Sequence, residues 1–136
     1  MPEVSTALRA EVRSRARLRC EYCLVPEGLT LVPHEIDHII AAKHGGGSGT
    51  DNLALSCTLC NRHKGTDLAS IDPETGGLER LFNPRSERWH EHFELSGGKI
   101  LARTSIGRVT VRLLQLNRLE RIAERNPMLA AGLLLL

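Results

Sequence analysis

Aromatic side chains are nearly absent from this 136-residue chain: Tyr22, Phe82, Trp89 and Phe93 are the whole set. A chain of this length fits one domain with a small core. A core so poor in large rings calls for a covalent or metal staple. No apolar run approaches the roughly 20 residues of a membrane span, so no membrane partner is expected. The opening "MPEVSTALRAEVRSRARLR" contains no apolar signal region, so export is not expected and a cytoplasmic location is. The closing "GLLLL" is too short for an anchor; it is expected to pack on the domain, join a dimer contact, or fray.

Net charge is also small, +2, but it is unevenly spread. Residues 1–19 carry five arginines against Glu3 and Glu11, and residues 96–136 carry seven basic side chains against two acidic. The middle is acidic, most of all residues 65–95, with three arginines and seven acids. Such asymmetry suits a polyanion gripped from both ends. It equally suits two solvated helix faces, and charge alone favours the latter.

What the chain does hold is four cysteines in two C-x-x-C pairs, "CEYC" at Cys20/Cys23 and "CTLC" at Cys57/Cys60. Two such pairs a few tens of residues apart have a zinc spacing, because each pair can chelate from one tight knuckle. Four thiolates on one Zn²⁺ would tie the N-terminal segment to the middle of the chain, and binding free energy would become folding free energy. Disulfides or a redox pair are the alternative. Neither an export signal nor a thioredoxin-like context supports them.

Val4, Leu8, Val12 and Ala16 recur every four residues, predicting an amphipathic helix over about 4–18. Arg9, Arg13 and Arg17 share another face. "LTLVPHEIDHII" predicts a strand with an irregular start at Pro33, "AKHGGGSGTD" a flexible loop, "NLALSC" a second strand, and "TLCNRHKGTDLAS" a helix broken near Gly65. "IDPETGG" predicts a turn. "ERWHEHFEL" and "KILART" predict a hairpin across Ser96-Gly97-Gly98. A last helix opens at Thr104 or Ser105 and ends at Pro127, with Arg108, Arg112, Arg118, Arg121 and Arg125 mostly off its apolar face. The chain divides into an N-terminal helix (4–19), a core (20–65) and an extension (66–136) within one domain.

Asp37 and His38 stand side by side in an apolar run, where a charge and an imidazole are costly without partners. Neighbouring strand residues face opposite sides, and a bulge or turn after Asp37 would let both reach one site. Asp37 suits a hard divalent cation, and His38 a general base if its other ring nitrogen is held. Asn61, fixed beside Cys60, offers an amide oxygen. Asn52 can bond backbone groups and hold the loop that follows His38. His34 is a weaker site candidate. Glu35, His44, His63, His90 and His92 are expected at the surface or, for His63, against phosphate.

"CEYC…IDHI…GG…DNLALSCTLCNRHKG" resembles the HNH endonuclease family, the zinc-bearing branch of the ββα-metal nucleases, over about residues 20–65. The resemblance implies an α+β fold, a ββα-metal finger with a structural four-cysteine zinc site, an N-terminal helix and a C-terminal hairpin-plus-helix extension. His38 corresponds to the first His of the motif, Asn52 to its Asn, and Asn61 to a final position often filled by His. It further implies DNA as substrate and one catalytic divalent ion, Mg²⁺, Mn²⁺ or another transition metal, held by Asp37 and Asn61. His38 would then activate water to leave 5′-phosphate and 3′-hydroxyl ends. Arg62 and Lys64, with Arg9, Arg13 and Arg17, are expected to contact DNA phosphates. One such site cuts one strand, so double-strand cleavage calls for a homodimer or two successive nicks. The competing expectation is a zinc-stapled nucleic-acid-binding module that does not cleave.

Overall fold

A computed structural model describes residues 4–134. Helix α1 (Thr6–Arg15) starts at Ser5, whose hydroxyl accepts from the Leu8 amide, an ordinary N-cap. It ends sooner than the apolar period suggests. Arg17 and Leu18 both turn to positive φ, 55° and 61°, and the Leu18 amide returns to the Arg13 carbonyl. This reversal leads into Cys20, whose amide donates to the Val25 carbonyl, and leaves Arg17 beyond the end of α1.

Strands β1 (Glu35–His38) and β2 (Leu53–Ser56) form an antiparallel hairpin with Ile36 opposite Leu55, Asp37 opposite Ala54 and His38 opposite Leu53. The predicted strand was longer, but Pro33 has no amide to donate and Leu31 and Val32 lie in solvent. Leu53 and Leu55 pack under Val12 and Val4, giving α1 its own small core. Helix α2 (Thr58–Lys64) follows at once, capped by the Cys57 sulfur accepting from the Cys60 amide. Gly65 at φ 52° ends it. The break comes where the sequence predicted it; beyond it residues 69–71 pair as a strand instead of resuming the helix. Strands β3 (Ala69–Ile71) and β4 (Leu78–Arg80) form a hairpin closed by the Asp72–Gly77 turn.

Helix α3 (Trp89–His92) replaces the start of the predicted strand; β5 (Phe93–Ser96) and β6 (Lys99–Ala102) then pair across Gly97-Gly98 as predicted. Thr104 caps α4 (Ser105–Leu113) through its hydroxyl. The single final helix of the sequence reading is two. Gln115 at φ 51° breaks the run, and α5 (Leu119–Ala130) starts afresh. Pro127 does not end α5. It lies in the last turn, where its missing amide removes one bond, and the Ala131 amide still reaches the Pro127 carbonyl.

The four aromatics meet in one cluster. Phe82 stands edge-on to Tyr22 and to Phe93, Trp89 lies against Phe93, and the Trp89 indole N–H donates to the Tyr22 carbonyl. The extension thereby packs on the first cysteine knuckle. Leu134 is buried in the same cluster and Leu133 is exposed; Leu135 and Leu136 of the "GLLLL" tail lie outside the described residues. No described helix is long and apolar enough to cross a membrane.

His92, expected at the surface, is buried between Glu87 and Thr104, 2.7 and 2.6 Å from its ring nitrogens. Glu87 also takes both Arg80 nitrogens, and these partners pull its carboxyl down to about 2, the Arg80 hydrogen bond most of all. A carboxyl depressed on folding stabilises above its unfolded value and loses that contribution as pH falls through its folded one. Glu87→Gln is therefore expected to be less stable at neutral pH and to lose less stability between pH 4.5 and 2 than the wild type, read from urea midpoints across that range.

Candidate functional site

The two knuckles converge. Ligand sulfurs of Cys20, Cys23, Cys57 and Cys60 all lie within 4.8 Å of one another, and all four cysteines are buried. They are free thiols, not disulfides. Burial pushes the Cys20 and Cys60 thiols well up, while hydrogen bonds from the other three sulfurs pull Cys23 well down. Four sulfurs in one closed, buried cluster are the donor set of a structural zinc site, and a bound cation would take them as thiolates. The knuckle is also pinned laterally. The Glu21 carboxylate accepts from the Leu55 amide on β2 and pairs with Arg85.

Each knuckle delivers one side chain to Asp37. Tyr22, between Cys20 and Cys23, donates its hydroxyl to Asp37 Oδ2 at 2.7 Å. Lys64, one turn beyond Cys60 on α2, reaches both oxygens, at 3.3 and 3.2 Å. Its ammonium also donates to the His38 and Ile39 carbonyls, at 3.3 and 3.1 Å. Asp37 and Lys64 are each 3% exposed. Burial raises the Asp37 carboxyl above its usual range, with Lys64 and Tyr22 pulling the other way. The expectation that Lys64 touches DNA phosphate is thus corrected: its four acceptors lie inside the protein, under the end of β1. Neither Tyr22 nor the Lys64 clamp was foreseen from the sequence.

His38 is 8% exposed. The β1–β2 register reaches His38 without a bulge and the strand ends there, so the bulge that the sequence reading allowed after Asp37 is not formed. There the loop turns back on it, with Ser48 Oγ 3.1 Å from Nε2. Among the described residues Nδ1 has no partner, and it is not among the buried unsatisfied atoms. If Nε2–H donates to Ser48, the lone pair sits on Nδ1. Ser48 had been read only as part of a flexible loop.

Asn52 holds that loop. Its side-chain oxygen accepts from the Ile40 amide, and its nitrogen donates to the Ile40 and Gly47 carbonyls, all at 2.8–2.9 Å. Gly46 is required at the close approach, since a Cβ there would lie 1.7 Å from the Ile40 oxygen. The loop is a tight clasp rather than the slack segment its glycines suggested.

Asn61 is half-buried on α2, and among the described residues its side-chain amide has no hydrogen-bond partner. No hydrogen bond joins the Asp37, His38 and Asn61 side chains to one another. By donor type, the Asp37 carboxylate and the Asn61 amide oxygen fit a hard divalent cation. By charge, Lys64 is already the resident cation of Asp37, so a metal ion would have to share the carboxylate or displace it. His34 is buried with Nε2 on the Val25 carbonyl, at 2.8 Å. Of the proposed DNA contacts, Arg9 and Arg62 are exposed, Arg13 is engaged by Glu27 and the His34 carbonyl, and Arg17 is exposed beyond the end of α1.

Residues 20–67, about a third of the chain, match the family model HNH endonuclease. No curated protein and no solved structure matches. The order β1, β2, α2 with a cysteine knuckle on either side of the hairpin is consistent with the ββα-metal fold of that family. The match ends just after α2, so β3 onward is outside it.

Breaking a buried pair from one side strands a charge. Lys64→Met is expected to destabilise the protein by roughly 3 kcal/mol, whereas Lys64→Met with Asp37→Leu recovers much of that loss. Chemical denaturation of the two variants beside the wild type measures both.

Proposed function

We propose that this chain is a metal-dependent endonuclease that hydrolyses DNA phosphodiester bonds, taking the HNH endonuclease match of residues 20–67 as premise. The observation that carries the reading is His38: one ring nitrogen held by Ser48, the other free, at the end of the strand that also bears Asp37. With Nε2–H donating to Ser48, Nδ1 would take a proton from an attacking water. The water oxygen bonds to phosphorus, the bond to the 3′ oxygen breaks, and that oxygen takes a proton from solvent. The ends left are 5′-phosphate and 3′-hydroxyl. Asn52 is a positioning residue in this scheme, fixing the loop that carries Ser48.

Asp37 and Asn61 would hold a divalent ion, Mg²⁺ or Mn²⁺, which when bound supplies positive charge against the phosphate and the departing oxygen. Cys20, Cys23, Cys57 and Cys60 would hold a structural Zn²⁺. Arg62, Arg9 and Arg17, all exposed, are the side chains of those singled out that would meet backbone phosphates.

One feature favours a different reading. The Lys64–Asp37 pair already neutralises the carboxylate, as suits a zinc-stapled module that binds nucleic acid without cleaving it. Supercoiled plasmid with Mg²⁺ or Mn²⁺ separates the two: nicking by the wild type is expected, and a gel shift with no nicking in either metal leaves the binding module. His38→Ala is expected to slow nicking by about 10²–10⁴-fold. Ser48→Ala should slow it by about fivefold, the worth of one orienting hydrogen bond. Elemental analysis is expected to give one zinc per chain, absent from Cys60→Ala, and chelation should lower the melting temperature.

A further inference from the structure

Helix α5 buries two arginines where its apolar pattern predicted none. Arg121 is 4% and Arg125 is 0% exposed. Among the described residues, no carboxylate lies within ion-pair distance of either. Arg121 instead points one nitrogen at sulfur, 3.0 Å from Cys60 Sγ and 3.7 Å from Cys57 Sγ. The other donates to the Leu114 and Gln115 carbonyls where α4 ends, at 2.8 and 3.3 Å. Arg125, one turn on, donates to the Gly98 and Leu116 carbonyls, at 2.7 and 2.6 Å, and to Asn117 Oδ1 at 3.3 Å. Its remaining nitrogen is buried without a partner.

Carbonyls can solvate a guanidinium, but they do not cancel its charge, and an uncompensated buried cation is among the costliest features a fold can carry. Four neutral thiols would leave two such cations in the interior. A divalent ion on four thiolates carries two negative charges, which two guanidiniums balance.

We propose that Arg121 and Arg125 are the counter-charge of a divalent tetrathiolate centre, so that the metal in the cysteine cluster docks the C-terminal helices onto residues 20–67. Arg121 serves as a positioning residue: it donates to ligand sulfurs and joins them to the end of α4. The extension, which lies outside the family match, thereby completes the electrostatics of the centre inside it. The inference rests on zinc occupying the cluster, which the zinc content of the wild type tests separately, and it stands whether or not the protein cleaves DNA.

Zinc affinity by chelator competition, on the full chain, tests it. Arg121→Gln keeps an N–H donor and loses the charge; Arg121→Lys keeps the charge. The glutamine variant is expected to bind zinc roughly 10–100-fold more weakly than the wild type, the usual effect of losing a partner of a metal ligand, and the lysine variant within about threefold of it. In the cobalt-substituted protein, Arg121→Gln should move the thiolate-to-cobalt charge-transfer band to lower energy, a signature that loss of packing alone does not produce. Equal affinities for the two variants would overturn the proposal. Should Arg121→Gln fail to fold, Arg125→Gln decides, because it touches no sulfur: several-fold weaker zinc binding with an unmoved cobalt band supports the charge balance, and unchanged affinity overturns it.

Discussion

The convergence of four sulfurs within 4.8 Å is the constraint on which the other placements depend. Each knuckle is a tight turn, so fixing its two sulfurs also fixes the residues within and beside it. Tyr22, inside the first knuckle, is aimed at Asp37 and roofed by Phe82 and Trp89. Asn61 and Lys64, beyond the second, ride on a helix whose N-cap is a cysteine sulfur. The carboxylate of Asp37 is thus approached from two directions by side chains whose backbones the cysteines position. With so few rings, the protein has little other means of holding a strand and a seven-residue helix in register, since a helix that short is marginal without tertiary support.

Much of this was legible in the chain itself, for a physical reason. The two cysteine knuckles are local patterns whose convergence follows from residue type and spacing. The hairpin strands, the β5–β6 turn and the Thr104 cap follow from short-range rules of the same kind. Asn52 was legible too, because an Asn at the close of a loop has few other uses than bonding backbone.

What could not be read are the charged residues that fold inward. Hydrophobic periodicity assumes that arginine and lysine face water, and on α5 the inward stripe is Arg121, Arg125 and Met128 while Leu119 lies in solvent. Lys64 misled in the same way, since nothing local announces that its acceptors are an aspartate and two carbonyls twenty-five or more residues earlier. The splitting of the last helix had the same origin: an unbroken helical period ran across Gln115, whose positive φ is imposed by packing and not by its own preference. His92 is a third case, drawn into the interior by Glu87 and Thr104 from either side.

These inward charges share a logic. A buried ion pair adds little net stability compared with apolar residues of equal volume, because desolvation offsets the attraction. What it supplies is direction: an ammonium with four acceptors, or a guanidinium with two sulfurs and two carbonyls, tolerates few alternative arrangements. Lys64 ties the backbone of His38 and Ile39 to the Asp37 carboxylate, so the strand end that carries the imidazole cannot shift without breaking a charged contact. Ser48 and Asn52 then fix the ring from the loop side. The imidazole is therefore held from its backbone by one cation and from its ring by one hydroxyl, with a single nitrogen left over. A general base requires such a nitrogen, although His34 too has one ring nitrogen bonded and the other without a partner. The proposal for His38 rests on that free nitrogen together with the family match of residues 20–67.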